Sequence, residues 1–204
     1  YQISQYEMPL ARNGELAIQT SQGERRIRVR RVHLEEDTGK LTHVDQPGQG
    51  YSLVDLNRAG VPLLEIVSEP DLHSAEEVRA YAAALRSLLR YLGVNSGDMQ
   101  KGVLRIEPNV SVRPVGAQAL GSRTEINNLN SFRALERSVA YEIQRQSELL
   151  AHGGVVVQET RGWDEGGGLT FTQRVKEGEE DYRYFPEPDL PPLVIDPGFL
   201  ESIK

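Results

Sequence analysis

The chain has 204 residues, a formal net charge of -7 and no cysteine, with 38% hydrophobic and 26% charged residues. This length suits one globular domain or two small ones, and it is compatible with an intracellular setting. The missing thiols exclude a disulfide scaffold, a cysteine nucleophile and a Cys-ligated metal centre within these residues. The acidic balance argues against nucleic-acid binding by bulk charge, so any such contact should be local. No run of about 18 apolar residues could span a bilayer, so we expect no membrane partner.

Three stretches in the first third of the chain predict β-strands. Residues 15–19 and 26–36 alternate apolar and polar side chains and are bounded by glycine turns. Residues 61–67 are apolar on both parities, which is typical of a central strand covered on both faces. Glu65 lies in the middle of this third strand, where an unpaired charge is costly, so we expect it to face a cation, a metal or a wet cleft.

The alternation of apolar and polar residues in the second strand shifts by one position along its length. Ile27 is at an odd-numbered apolar position and Val32 at an even-numbered one, which predicts a β-bulge near Arg30-Arg31. With the bulge, Glu36 continues on the apolar face, whereas without it Glu35 does. Bulges often redirect a side chain beside a site.

Two capped helices are predicted downstream. The first begins at Ser74, where Glu77 completes a capping-box pattern, and ends at Gly93. The second begins at Ser131 and runs to Leu150, just before a pair of glycines. Apolar residues recur at helical spacing in both segments.

Further strands are predicted around the second helix. Residues 103–113 alternate between an apolar face and a polar row that includes Glu107, as expected for a sheet with helices under one face and a groove on the other. Residues 155–160 and 169–175 predict a hairpin around three successive glycines. Strand groups and helices therefore combine in an α+β class.

Three strand carboxylates, Glu36, Glu65 and Glu107, are the candidate catalytic and metal-binding residues, and we expect them to face one cavity. Hard cations such as Mg²⁺ take oxygen ligands from a few carboxylates plus substrate phosphates, so this set favours a phosphoryl-transfer centre. The alternative is that Glu36 and Glu107 are solvated charges on strand faces. Glycine-rich phosphate loops of the familiar spacings are missing, so a nucleotide would be held in another way.

Basic residues and histidines give weaker signals. Near the proline-rich end, Arg174, Lys176 and Arg183 are basic enough to hold phosphates, although they could equally pair with the acidic residues 177–181. A stripe on the second strand could meet RNA phosphates or could be a solvated edge strand that resists aggregation; it consists of Arg26, Arg28, Arg30 and Arg31. Four scattered histidines predict no histidine metal cluster. His33 and His43 could flank a site, but we expect them on the surface or in turns.

Six longer motifs stand out along the chain. They occupy residues 1–6 (Tyr-Gln-Ile-Ser-Gln-Tyr), 33–40 (His-Leu-Glu-Glu-Asp-Thr-Gly-Lys), 51–58 (Tyr-Ser-Leu-Val-Asp-Leu-Asn-Arg), 65–71 (Glu-Ile-Val-Ser-Glu-Pro-Asp), 128–132 (Asn-Leu-Asn-Ser-Phe) and 181–189 (Asp-Tyr-Arg-Tyr-Phe-Pro-Glu-Pro-Asp). Together these motifs resemble the B subunits (GatB) of bacterial tRNA-dependent Asp/Glu amidotransferases, GatCAB. The resemblance extends over nearly the whole chain.

The resemblance implies a two-step reaction on misacylated tRNA. With ATP and Mg²⁺, such a subunit phosphorylates the side-chain carboxylate of Glu-tRNA(Gln) or Asp-tRNA(Asn). Ammonia that the A subunit frees from glutamine then displaces the phosphate. The implied class is a carbon–nitrogen ligase that works with A and C subunits, and we expect it in the cytoplasm.

The resemblance also implies a fold and its limits. The expected fold is a glutamine-synthetase-like catalytic (cradle) domain, a curved and mainly antiparallel sheet backed by helices, incomplete at both ends. Residues 1–195 would form its central and C-terminal part, and residues 196–204 would begin a following helical domain. A Glu-Val-His strand that helps to complete the family's metal site would precede Tyr1, and the tRNA-holding domains would follow Lys204. We therefore expect this segment alone to have an incomplete site and little tRNA affinity.

Some candidate residues match the family's pattern and others depart from it. Glu36 and Glu65 are implied to be metal ligands or their close supports, while Glu107 stands where the family usually has Asp. Asn127 stands where the family often has Lys, so no cationic role carries over. The candidate cofactor-binding residues are Lys40, Arg174, Lys176 and Arg183.

Two other functions stay open at this point. A non-catalytic scaffold would dock the A and C subunits and the acceptor end of the tRNA, and it would not lose ATP affinity when Glu65 becomes Gln. A ligase acting on a free amino acid would turn over without tRNA.

Overall fold

A computed structural model describes residues 3–44, 50–175 and 187–203 of the chain. Within these residues the elements, in chain order, are β1 (Ala11–Thr20), β2 (Gly23–Glu36), β3 (Lys40–Val44), β4 (Tyr51–Asp55), β5 (Pro62–Ser68), α1 (Ala75–Tyr91), β6 (Asn109–Val110), β7 (Thr124–Asn127), α2 (Phe132–Ala151), β8 (Glu159–Asp164), β9 (Leu169–Val175) and α3 (Pro197–Ser202). The predicted α+β class is confirmed.

The described strands form three sheets, with orders β1-β2-β5, β3-β4 and β6-β7-β8-β9. Pairs β1–β2, β3–β4, β6–β7 and β8–β9 are antiparallel, and β7–β8 is parallel. By contacts, the described residues divide into two compact units. The first holds residues 3–9, 33–44, 50–65 and 187–203, and the second holds residues 10–32 and 66–175.

Both predicted helices of the second unit are confirmed, together with their caps. The Glu77 N–H donates to Ser74 Oγ at 3.2 Å, and the Ala134 N–H donates to Ser131 Oγ at 3.1 Å. Gly93 follows α1 with φ +69°, a conformation that a residue with a Cβ adopts at a cost. Each cap satisfies a backbone group that the helix itself cannot pair.

The core of the second unit lies where α1 and α2 meet the sheet β6–β9. Its buried members are Ala82, Val110, Ile126, Leu129, Ala134, Leu135, Val139 and Trp163. Apolar residues at helical spacing on α2 and at alternate positions on the strands produce this cluster, as the hydrophobic pattern predicts.

Two predicted strands of this unit are shorter or displaced. Within residues 103–113 only Asn109–Val110 pairs as a strand, because Pro108 has no N–H to donate and β7 offers only four residues. The predicted alternation persists in burial, since Leu104 and Val110 are buried while Glu107 is exposed. The first strand of the hairpin is Glu159–Asp164 rather than 155–160, because it pairs with β7 as well as with β9.

The predicted bulge in β2 is absent on the side of β1. The partner pairs of these two strands keep one register from Ala11 opposite Val32 to Thr20 opposite Gly23. On the side of β5, the Glu69 N–H donates to Arg28 O and the Asp37 N–H donates to Val61 O, so nine steps along β2 lie opposite eight steps along its neighbour. This one-residue shift is what a bulge in β2 produces.

Two predictions about strand position also fail within the described sheets. β5 lies at the end of the order β1-β2-β5 and is half-buried at most of its positions, so it is not a central strand among these strands. β2 is the middle strand, so the arginine stripe is not on an edge. Long-range pairing, which local patterns do not encode, decides which strand has two neighbours.

Candidate metal centre

The last residues of β2 bring a histidine and a carboxylate to the same face of the strand. His33 and Glu35 are two residues apart, so their side chains project together, while Glu36 projects to the opposite face. His33 is fully buried, and the side chain of Glu35 is only 9% exposed. The prediction of a surface or turn position is therefore wrong for His33, whereas His43 is exposed on β3 as predicted.

Glu65, from the middle of β5, completes a cluster of three. His33 Nε2 lies 2.9 Å from Glu35 Oε1 and 3.2 Å from Glu65 Oε2. One ligand atom from each of the three residues lies within 4.8 Å of the others. The side chain of Glu65 is 43% exposed, so the cluster extends from a closed end at His33 to an open end at Glu65.

The chain segment before β1 supports the closed end. Ser4 Oγ donates to Glu35 Oε1 at 2.8 Å, and the Gln5 N–H donates to Leu34 O at 3.0 Å. Tyr6 packs its ring edge-on against the imidazole of His33, with 6.2 Å between centroids. Residues of the first of the six motifs therefore fix the side chains of the second.

The donor set fits a divalent cation. Carboxylate oxygens are the ligands that Mg²⁺ and similar ions prefer, and the cluster supplies two carboxylates within 4.8 Å of each other. The two carboxylates suit Mg²⁺ or Mn²⁺, while an imidazole nitrogen suits Mn²⁺ or Zn²⁺ better than Mg²⁺. The open end at Glu65 would leave room for substrate phosphates beside the ion.

The residues predicted from the sequence fall in several places. Glu65 belongs to the cluster, Glu36 lies next to it along β2, and Glu107 is exposed in the second unit, so the convergence of these three carboxylates stays a prediction. Lys40 is exposed on β3 opposite Asp55.

Three further candidates complete this set. Arg174 is exposed on β9. Lys176 and Arg183 lie outside the described residues.

Sequence reasoning considered His33 only as a residue that could flank a site, and it chose Glu36 rather than Glu35 as the candidate ligand. The signal was present, because His33 and Glu35 are two residues apart on a predicted strand and their side chains therefore share a face.

The arginine stripe of β2 pairs with carboxylates in the second unit. Arg28 and Arg30 form ion pairs with Asp71 and Glu69, at 2.6 and 2.7 Å. Hydrogen bonds from Arg28 outweigh the opposing effect of burial and lower the pKa of Asp71 to about 2. Much of the positive charge that could meet RNA is thereby matched within the chain.

Comparison with known proteins gives one family for the whole chain. Residues 1–201 match the family model of the GatB/GatE catalytic domain.

In the part of the chain that the structure covers, no helix is both long and apolar enough to cross a membrane.

Three curated relatives share one name. A protein from Moorella thermoacetica, named as the B subunit of aspartyl/glutamyl-tRNA(Asn/Gln) amidotransferase, is 58% identical over 204 residues, which is 100% of this chain and 43% of the relative. A protein of that name from Caldicellulosiruptor saccharolyticus is 54% identical over 100% of this chain and 42% of the relative. Another from Roseiflexus castenholzii is 59% identical over 96% of this chain and 40% of the relative. The chain thus spans about two-fifths of the length of these relatives. It belongs to the GatB/GatE catalytic domain family.

Proposed function

We propose that the protein containing this chain activates the side-chain carboxylate of Glu-tRNA(Gln) or Asp-tRNA(Asn) with ATP, as one subunit of a tRNA-dependent amidotransferase. The match of residues 1–201 to the family model and the identity of 58% to a curated amidotransferase B subunit support this proposal. The cluster of His33, Glu35 and Glu65 is the structural observation that carries it, because phosphoryl transfer to a carboxylate needs a centre that offsets negative charge.

The proposed chemistry has two steps. An oxygen of the substrate carboxylate attacks the γ-phosphorus of ATP, the bond from that phosphorus to the β-bridging oxygen breaks, and ADP leaves. Ammonia then attacks the carbonyl carbon of the acyl phosphate and forms a C–N bond. The C–O bond to the phosphate breaks, inorganic phosphate leaves with its electron pair, and the nitrogen loses a proton to give the amide. The products are Gln-tRNA(Gln) or Asn-tRNA(Asn).

Glu35 and Glu65 are the residues of this cluster that would hold a divalent cation, with Mg²⁺ the expected ion. Such a cation supplies charge neutralisation for the phosphates and for the attacking carboxylate. The half-exposed Glu65 faces the side from which a nucleotide could approach, whereas His33 and Ser4 fix Glu35 from behind. Glu36 and Glu107 remain further candidate ligands, and Lys40, Arg174, Lys176 and Arg183 remain candidate phosphate-binding residues.

The partners follow from the same proposal. The relatives are named as B subunits, which supports a complex with an A subunit that releases ammonia from glutamine and with a C subunit. Misacylated tRNA would be the substrate of this complex. We expect the complex in the cytoplasm, where aminoacyl-tRNA is made and used.

The test uses the full-length protein in complex with its A and C subunits. We expect ADP formation that depends on both Mg²⁺ and Glu-tRNA(Gln) or Asp-tRNA(Asn). We expect Glu65→Gln to lower its rate on the order of 10²-fold or more, because the amide would hold the charge-neutralising cation more weakly than the carboxylate does. Glu148→Gln, an exposed charge change on α2, is the control and should leave the rate unchanged.

Two results would contradict the proposal. Unchanged ATP affinity and turnover in Glu65→Gln would favour the scaffold function. ADP and amide formation with a free amino acid in place of aminoacyl-tRNA would favour the free amino acid ligase.

A further inference from the structure

We propose that His33 is a positioning residue, which holds the carboxylates of Glu35 and Glu65 for the cation and is not itself a ligand. This inference rests on the proposed function, since it assumes that the cluster binds a divalent cation. The geometry of the three side chains distinguishes a hydrogen-bonding histidine from a coordinating one.

Burial places His33 at the closed end of the cluster. Its side chain is 0% exposed, against 9% for Glu35 and 43% for Glu65. A cation that also contacts a nucleotide must approach from the exposed side, so it meets the carboxylate of Glu65 first. Tyr6 and Ser4 close the other side, through a ring contact with His33 and a hydrogen bond to Glu35.

The second ring nitrogen of His33 argues against coordination. A histidine that ligates a metal almost always donates its other N–H to a carboxylate, a carbonyl or water, and that bond orients the ring. His33 Nδ1 is buried and has no hydrogen-bond partner among the described residues. Coordination through Nε2 would place a proton on Nδ1 and leave a buried N–H without an acceptor, which is costly.

The opposite tautomer accounts for both polar contacts of Nε2 and leaves no buried N–H on Nδ1. With the proton on Nε2, His33 donates to Glu35 Oε1 at 2.9 Å, and the same N–H dipole lies 3.2 Å from Glu65 Oε2. A bare Nε2 would instead direct its lone pair at two carboxylate oxygens. We therefore assign the proton to Nε2, where it reduces the repulsion between the two carboxylates.

Two donors converge on one oxygen of Glu35. Ser4 Oγ and His33 Nε2 lie 2.8 and 2.9 Å from Glu35 Oε1. Together they fix the rotation of the carboxylate and thereby its distance from Glu65. Outer hydrogen-bonding partners of this kind typically change metal affinity by about 10–100-fold when they are removed.

The test measures binding of Mn²⁺ alone to the full-length protein in complex with its A and C subunits, by calorimetry and by electron paramagnetic resonance. We expect His33→Leu, which removes the donor, to weaken Mn²⁺ binding by about 10–100-fold. His33→Gln, whose amide N–H can occupy the place of Nε2–H, should retain most of the affinity. His43→Gln, at an exposed histidine of the same unit, is the control and should change nothing.

Pulsed electron paramagnetic resonance separates the two roles of His33. If His33 is not a ligand, replacing it removes no nitrogen coupling from the spectrum of bound Mn²⁺. We therefore expect the wild type and both His33 variants to show the same nitrogen coupling. Circular dichroism of each variant reports whether the fold is kept, and His33→Gln keeps the test valid if His33→Leu does not fold.

Three outcomes would overturn the inference. A directly bound nitrogen that disappears in both His33 variants would make His33 a ligand, and Mn²⁺ affinity that is unchanged in His33→Leu would remove its positioning role; both leave the proposed function intact. Failure of the wild-type complex to bind Mn²⁺ at all would overturn the metal-dependent function and this inference with it.

Discussion

Asp71 and Arg28 form a bidentate ion pair in which Arg28 Nε lies 2.8 Å from Asp71 Oδ2 and Arg28 Nη2 lies 2.6 Å from Oδ1. The backbone N–H of Arg28 donates to the same Oδ2 at 3.0 Å. The side chain of Asp71 is 17% exposed, whereas that of Arg28 is 65% exposed. The pair holds the segment that follows β5 beside β2.

This pair predicts a dependence of stability on acid. The folded state lowers the pKa of Asp71 from 3.8 to about 2, so its contribution is complete above pH 3.8 and is lost as the pH falls towards 2. We expect Asp71→Asn to destabilise the protein by about 1 kcal/mol at neutral pH, since the arginine is largely exposed. The difference in melting temperature between wild type and variant should narrow as the pH falls through this range.

A fully exposed ion pair is the control for Asp71. Glu15→Gln breaks the pair between Glu15 and Arg26, whose side chains are 44% and 69% exposed, and should leave the melting temperature nearly unchanged. An Asp71→Asn variant that melts like wild type at neutral pH would show that the bidentate geometry contributes nothing.

Glu142 carries a second prediction, because it is a fully buried carboxylate on α2. Burial raises its pKa, but hydrogen bonds from Arg145, Gln146 and Thr170 outweigh this effect and lower the pKa overall. Glu142→Ala would leave partly buried cations and buried donors without their partner and should cost about 3–5 kcal/mol. Arg161 Nε, 3.7 Å from Glu142 Oε2, would lose a neighbour as well.

Amide hydrogen exchange measures this loss locally in the full-length protein. Amides of α2 and β8 should exchange on the order of 10²-fold faster or more in Glu142→Ala. Glu148→Ala, at an exposed glutamate of the same helix, should leave the exchange rates nearly unchanged. Equal rates in both variants would contradict a structural role for the buried network.

Glu35 and Glu36 give a third prediction, because their side chains project to opposite faces of β2. If the cluster with His33 and Glu65 holds the cation, Glu35→Gln should weaken Mn²⁺ binding at least about 10-fold more than Glu36→Gln does. Calorimetric titration of both variants in the full-length complex measures the difference. A larger loss in Glu36→Gln would support the ligand that the sequence motif implies.

Gly97 gives a fourth prediction about the turn after α1. It has φ +70°, and a Cβ at this position would lie 2.7 Å from Arg86 Cγ. Arg86 packs over the ring of Phe132, with 5.5 Å to the centroid, so a new methyl group would disturb that contact as well. Gly97→Ala should therefore destabilise the protein by more than the roughly 1–2 kcal/mol that a positive φ costs an alanine.

Gly116 is the matched control for Gly97. It has φ +86°, and a Cβ added to it would meet nothing within 4 Å, so Gly116→Ala should show the cost of the backbone conformation alone. The melting temperatures of the two variants measure the difference. Equal melting temperatures would mean that the Arg86 side chain moves aside without any loss of stability.

The local sequence determined the helices of this protein and the turn of its hairpin. Ser74 and Ser131 cap helices because their hydroxyls reach N–H groups only three residues away, and Gly93 ends α1 because it tolerates a positive φ. The alternation at Leu104 and Val110 likewise predicted burial, since parity alone decides which side chains share a face. These interactions involve neighbours along the chain, so the sequence contains all that they need.

Tertiary structure decided which carboxylates meet and which strand is central. Glu35 and not Glu36 joins His33 and Glu65 in the described cluster, because β5 pairs beside β2 and residues two apart on a strand share a face. His33 is buried because Tyr6 and Ser4, which lie far from it in sequence, cover that end of the strand. Strand pairing and side-chain burial depend on partners tens of residues away, and no local pattern specifies them.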